Sequence, residues 1–157
     1  MSDSNHNIPR QCEFDQDKLI VKLDELIPSD PRLVEGAVAR VIRLLEENGC
    51  HHELGNVQLA LQEALMNAIL HGNRRDPEKY VRLCAAIEEG GGILIVVKDS
   101  GEGFDPSKIP DPTVGENIYR DGGRGVYLIQ QLMDDVQFKF GDGTAIIMRR
   151  HPPNRQE

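Results

Sequence analysis

The sequence contains no tryptophan, and only four phenylalanines and three tyrosines occur in its 157 residues. Few side chains can stack on bases, and no run of Lys and Arg makes up for them. With 18 basic against 26 acidic residues the formal charge is −8, which repels a phosphate backbone. A general nucleic-acid binder is excluded. Cysteine is scarce as well: Cys12, Cys50 and Cys84 are an odd number with no C-x-x-C pair, a pattern that predicts three inert thiols in a reducing compartment, the cytoplasm. Long hydrophobic runs are missing. No purely apolar stretch exceeds five residues, residues 93–97 being one, and residues 1–16 mix charge and proline without the apolar core of an export signal. Neither membrane insertion nor export is expected. There is no internal repeat.

What is present suits a single self-sufficient domain: the length sits near the soft prior of about 150 residues, and a chain of this size buries roughly 70% of its unfolded surface without metal or disulfide support. Residues 1–17 are polar and aperiodic and read as a mobile arm, and residues 151–157 as a polar tail. Between them, residues 18–27 alternate as a half-wet strand (Leu19, Val21, Leu23), and Ser29-Asp30-Pro31 opens a helix whose apolar stripe is Val34, Val38, Val41 and Leu45. Asn48-Gly49 closes it. A second helix over about 53–70 buries Val57, Leu61, Leu65 and Ala68 and stops at His71-Gly72. Strands are predicted at 81–89 and 93–97 around Gly90-Gly91-Gly92, and at 136–140 and 144–149 around Gly141-Asp142-Gly143, with a short helix at 126–133 between the hairpins. Hairpins mixed with helices, rather than repeated βαβ units, predict an α+β two-layer sandwich with helices on one face of a mostly antiparallel mixed sheet. The aperiodic Gly/Pro-rich stretch 99–124 is longer than a routine connection, and such loops are usually functional.

Three clusters can carry chemistry. Glu63, Asn67 and His71 recur at i, i+4 and i+8, which sets a carboxylate, an amide and an imidazole along one stripe of the second helix; alone, that pattern also fits a solvated helix face. Asp99-Ser100-Gly101-Glu102-Gly103-Phe104 lies where an apolar strand empties into the long loop. A carboxylate there can accept a hydrogen bond from an exocyclic amine while glycines let backbone approach a flat ring, although an ordinary Asp/Gly turn has the same composition. Gly122-Gly123-Arg124-Gly125 opens a helix, so its free N–H groups and the positive end of the helix dipole suit an anion, with Arg124 able to add a charged fork. It is neither a Walker loop nor a dinucleotide fingerprint. His51-His52-Glu53 lacks further ligands at metal spacing and reads as a helix-start surface; Cys84 reads as a small core residue.

Taken in order, E-A-L-M-N-A-I-L-H-G at 63–72, D-S-G-E-G-F at 99–104 and G-R-G-V-Y-L-I-Q-Q-L-M-D-D-V at 123–136 resemble the nucleotide-binding boxes of the GHKL ATP-binding superfamily, and within it the small bacterial anti-sigma factor serine kinases. The resemblance covers about residues 18–150. It implies the Bergerat-type α/β sandwich, ATP and Mg²⁺ as cofactors, Glu63 as general base, Asn67 as Mg²⁺ ligand, and Asp99 as adenine anchor. Gly101 and Gly103 would shape the adenine pocket, Gly123, Arg124 and Gly125 would cradle phosphates, and Thr144 would support the adenine end. Many members carry a small or apolar residue at the position of Arg124, so its phosphate role is inferred from its charge.

The implied activity is that of an ATP-dependent protein serine/threonine kinase. Its substrate would be a serine on an anti-anti-sigma (STAS-type) protein, a sigma factor its second partner, and nucleotide state would choose between them. The stretch 104–122 would act as a nucleotide lid. The alternative from another class is a non-catalytic, nucleotide-dependent binding module. A two-component histidine kinase is disfavoured, because a 17-residue arm cannot supply a dimerising helical hairpin. The β-strand at 18–27 fits either a homodimer edge or an edge blunted by Lys18 and Lys22.

Overall fold

The computed structural model describes residues 7–10, 18–101 and 123–153, with the side chains of residues 123 and 124 outside that description. Strand β1 (Leu19–Pro28) is followed by a short 3₁₀ turn (Pro31–Leu33), helix α1 (Val34–Glu47) and helix α2 (Leu54–Asn67). A π-helical turn, Ala68–Gly72, extends α2. Then come β2 (Tyr80–Glu88), β3 (Ile93–Lys98), α3 (Gly123–Leu132), β4 (Asp135–Gly141) and β5 (Gly143–Arg150). The sheet order is β1-β2-β3-β5-β4. Every pair in it is antiparallel, so the α+β sandwich stands while the parallel component of a mixed sheet does not occur among the described strands.

Local chemistry sets the helix limits. Asp30 accepts from the Arg32 amide at 2.9 Å and Pro31 follows it, as the capping pattern predicts, though the first turn is wound as 3₁₀. At the other end of α1, Cys50 N–H reaches Leu45 O at 2.8 Å and Gly49 N–H reaches Glu46 O at 3.2 Å, with Gly49 at φ +86°, a paired closure that needs the left-handed residue.

The buried stripes meet the sheet from one side. Val34, Ala37, Val38, Val41 and Leu45 of α1 and Val57, Leu61 and Leu65 of α2 form one core with Leu83, Ile95, Val97, Ile146 and Met148. Fully buried, each large aliphatic side chain contributes about 1.5–3 kcal/mol. The opposite face carries a smaller cluster of Cys84, Leu94 and Val96 with Ile147 against it. Residues 7–10 attach there and at the adjoining strand ends. Tyr80 N–H donates to Asn7 O at 2.8 Å, Arg82 Nε to Pro9 O at 2.8 Å and Lys98 Nζ to Arg10 O at 3.2 Å. Cys84 is disulfide-bonded and Cys50 is a free thiol, which corrects the expectation of three inert thiols and removes that argument for a reducing compartment. The alternation along β2 could place Cys84 on the outer face but could not report its oxidation. Among the described residues no helix is long and apolar enough to cross a membrane.

Candidate nucleotide site

Two groups of the expected residues come together, one on each layer. On the helix layer, Glu63 and Asn67 lie one turn apart on α2 and face the start of α3. A Cβ placed on Gly125 would stand 2.5 Å from Glu63 Oε1 and 3.5 Å from Asn67 Nδ2, so glycine at 125 is what lets α3 close on the two polar side chains. Asn67 is 4% exposed, and among the described residues its Nδ2 has no hydrogen-bond partner. A buried amide left in that state costs free energy unless a ligand completes it. Gly123 and Arg124 are the first residues of α3, in the position from which main-chain N–H groups point outward along the axis. The role expected of the Arg124 guanidinium lies outside the described residues, as do Gly103 and the lid at 104–122.

On the sheet layer, Asp99 follows β3 and is 2% exposed. Its Oδ1 accepts from Gly101 N–H and from Thr144 N–H, both at 3.0 Å, and its own N–H donates to Thr144 O at 2.9 Å. Thr144 therefore supports Asp99 through its main chain. Three glycines pack around this corner. A Cβ on Gly72 would run into the Asp99 carboxylate, one on Gly101 into the Gly72 carbonyl, and one on Gly143 into the Asp99 carbonyl. Gly143 also sits at φ +96°, where L side chains are strained. Gly101 was expected; Gly72 and Gly143 were not, since the sequence reads them as a helix stop and a hairpin turn. The π-turn joins the two groups. It carries the chain from Asn67 to Gly72, about 7 Å along the axis, and such irregular turns are frequent at functional sites.

The arrangement offers a buried carboxylate acceptor flanked by bare backbone at one end, and at the other a carboxylate and an amide beside a helix N-terminus. That combination can read an amine on a flat ring and hold a phosphate chain. A separate cavity of about 410 Å³, lined by Gly49, Cys50, His51, His52, Arg150 and His151 among others, contains none of these residues. It lies beyond the far end of β5 from Thr144, ~20 Å away along the strand.

Comparison with known proteins agrees with this geometry. Residues 27–150 match the family described as histidine kinase-like ATPase domain. The chain is 33% identical over 104 residues to an anti-sigma F factor of Heyndrickxia coagulans, covering 63% of this chain and 70% of that one. It is 29% identical over 132 residues to a serine-protein kinase RsbW of Oceanobacillus iheyensis, covering 80% of this chain and 83% of the relative. A crystal structure of the RsbU and RsbW domains of a Mycobacterium tuberculosis protein superposes on 83% of the chain with a TM-score of 0.63 at 19% identity, which shows a shared fold; the chain spans 32% of that longer one. An ATP-binding α/β sandwich is thus the class that fold and site define. Within it, the chain belongs to the anti-sigma factor serine kinase family of the GHKL superfamily, an assignment that makes ATP its nucleotide.

Proposed function

We propose that the protein is an ATP-dependent protein serine/threonine kinase that phosphorylates a serine on an anti-anti-sigma protein of STAS type and exchanges that partner for a sigma factor with nucleotide state. The observation that carries the reading is the meeting of Glu63, Asn67 and Gly125, which keeps a carboxylate beside the start of α3 where phosphates would lie. The names of the relatives, an anti-sigma factor and serine-protein kinases, support it. The kinase unit is taken as residues 18–150, with an arm before it and a tail after it, and its place as the cytoplasm where transcription factors act. A disulfide such as that of Cys84 is uncommon there.

The residues divide the work. Asp99 accepts a hydrogen bond from the adenine amine, and Gly101 with Gly72 leaves the ring in contact with bare backbone. The first-turn amides of α3 hold phosphate oxygens, where the helix dipole favours negative charge. Glu63 orients the attacking serine hydroxyl and takes its proton as the oxygen bonds to the γ-phosphorus and the bond from that phosphorus to the β,γ-bridging oxygen breaks, releasing ADP. Magnesium fits the Asn67 carboxamide, whose Oδ1 is a hard oxygen ligand of the kind it prefers, while the unpartnered Nδ2 would donate to a phosphate oxygen. Asn67 would hold the ion, and when bound it neutralises charge on the phosphates.

Glu63→Gln is the direct test: the shape is kept and the basicity lost, so Mg·ATP affinity should hold while transfer to the anti-anti-sigma partner, isolated by pull-down on this protein, falls by roughly 10²- to 10⁴-fold. Transfer at the wild-type rate would turn the reading toward a nucleotide-dependent binding module. In the same variant, partners titrated with ATP and then with ADP should differ by about 5- to 150-fold in affinity. Equal affinities would remove the switch.

A further inference from the structure

Beneath the Asp99 corner lies a buried amide that belongs to none of the three motifs. Asn73 is 1% exposed, and both ends of its side chain are engaged. Its Oδ1 accepts from Ser100 N–H at 2.7 Å, while Nδ2 donates to Tyr80 O at 3.0 Å and to Ser29 Oγ at 2.9 Å. Ser29 Oγ donates in turn to Lys79 O at 2.6 Å. The main-chain N–H of Asn73 reaches Ala68 O at 2.8 Å and so closes the π-turn. One residue thereby ties the end of β1, the start of β2, the exit of β3 and the turn that follows Asn67. Only a carboxamide matches these partners, because one side must accept from an N–H and the other must donate to a carbonyl and a hydroxyl.

We infer that Asn73 is a positioning residue for base recognition: by holding the Ser100 amide and the π-turn in one register, it fixes the Asp99 carboxylate and sets the preference for a 6-aminopurine. The inference rests on the proposed role of Asp99 as the adenine acceptor. Asp99 Oδ1 is fixed by the Gly101 and Thr144 amides, but the peptide that leads out of Asp99 is the one whose N–H Asn73 accepts. Without that acceptor a buried N–H is left unsatisfied, and the Asp99–Ser100 peptide rotates to find another. The carboxylate turns with it. Gly72 packs against that carboxylate and lies within the π-turn that Asn73 closes, so the second contact shifts at the same time.

A purely structural role would lower melting temperature and weaken all nucleotides alike. Positioning predicts a loss that vanishes when the ligand has no amine to read. The test is calorimetric titration of wild type, Asn73→Ala, Asn73→Asp and Asp99→Asn with Mg²⁺ and either ATP or purine riboside triphosphate, which lacks the 6-amino group, alongside circular dichroism and melting temperature. Wild type should prefer ATP by about ten- to a hundredfold, the equivalent of one charge-assisted hydrogen bond. Folded Asn73→Ala should lose at least tenfold of that preference or fall to none, whereas Asn73→Asp, which still offers an oxygen to Ser100 N–H, should keep its preference within about threefold of wild type despite a lower melting temperature. An unchanged preference in folded Asn73→Ala overturns the inference, as does a collapsed one in Asn73→Asp, the variant that decides if the alanine chain does not fold. A preference lost in Asp99→Asn but kept in Asn73→Ala refutes the positioning role alone. A preference kept in Asp99→Asn refutes the adenine reading and the inference with it.

Discussion

Gly125→Ala should make the protein more stable and a much poorer kinase. The residue lies inside α3, where alanine is favoured over glycine by up to about 0.8–1.0 kcal/mol, an increment worth about 2–4 °C in melting temperature for a chain of this size. Its new methyl group would stand 2.5 Å from Glu63 Oε1, against 3.4–4 Å for ordinary contact, so the carboxylate must retreat by about 1 Å. Glutamate can do this cheaply because the atom is the end of a flexible side chain; the fold does not suffer. Catalysis does. Displacing a reacting group by about 1 Å costs on the order of 10²-fold, or about 2.7 kcal/mol in the barrier. The Asn67 Nδ2 contact at 3.5 Å is already of ordinary length, so nucleotide binding should persist. The assay is phosphotransfer to the anti-anti-sigma partner at saturating ATP, with ATP affinity by calorimetry and thermal melting on the same samples. A kcat within threefold of wild type would show that the position of Glu63 against α3 does not matter to the reaction.

Gly143→Ala should do the reverse of a silent loop change: strain at φ +96° and collision with the Asp99 carbonyl should lower both melting temperature and ATP affinity, by about 1–3 kcal/mol of stability, and equal ATP binding in the variant would detach the β4–β5 turn from the site. Burial pushes the Cys50 thiol up from its ordinary value. The native state therefore keeps its proton where the unfolded chain loses it, so this contribution is full at neutral pH and is lost as pH rises through the alkaline thiol range. Urea midpoints of wild type and Cys50→Ala should accordingly converge between pH 7 and pH 10, and a pH-independent difference would contradict the burial argument.

The parts of the site that could be read from the sequence are those whose chemistry is local. Glu63 and Asn67 share a helix face because four residues make about one turn, and Asp99 declares itself by ending an apolar strand and preceding glycine. The alternation of Val81, Leu83, Ala85 and Ile87 marks the core face of β2, whereas residues 93–97 are apolar on both faces and do not announce which one joins the main core. Long-range fits were not legible. Gly72 lies 27 residues before Asp99 and Gly143 lies 44 after it, and nothing in a helix stop or a hairpin turn says that the same missing Cβ also makes room for a carboxylate. Asn73 follows a helix stop, where asparagine is expected in the open; its burial comes from strands that close over it. Glu53, Arg74 and Arg75 take positive φ of 52°, 54° and 58° without glycine or asparagine to signal it, so tertiary contacts override their local preference there. The purely antiparallel sheet follows from β5 pairing with β3 across the intervening α3 and β4, a choice that strand patterns alone do not make.

If the residues act as proposed, the two layers would give the site two separable functions. Asp99, Thr144, Gly101 and Gly143 hang on the sheet, where paired main-chain hydrogen bonds and absent side chains leave little freedom to move. Glu63 and Asn67 project from α2 toward α3, which packs its Val126 and Ile129 into the same core, and beside the two polar side chains the close approach depends on Gly125. On the proposed roles, recognition of the base would belong to the sheet layer, and the reaction to a joint between two helices. Changes at Asp99, Asn73 or Gly143 should alter which nucleotide binds, and changes at Glu63 or Gly125 what becomes of it once bound. Because a nucleotide bridging the layers touches both, its γ-phosphate can bias how α3 sits on α2 without disturbing how adenine is held, and only an interaction that differs between the ATP and ADP forms can shift a partner equilibrium. The α2–α3 joint is therefore where nucleotide state would be converted into a surface that a partner can distinguish.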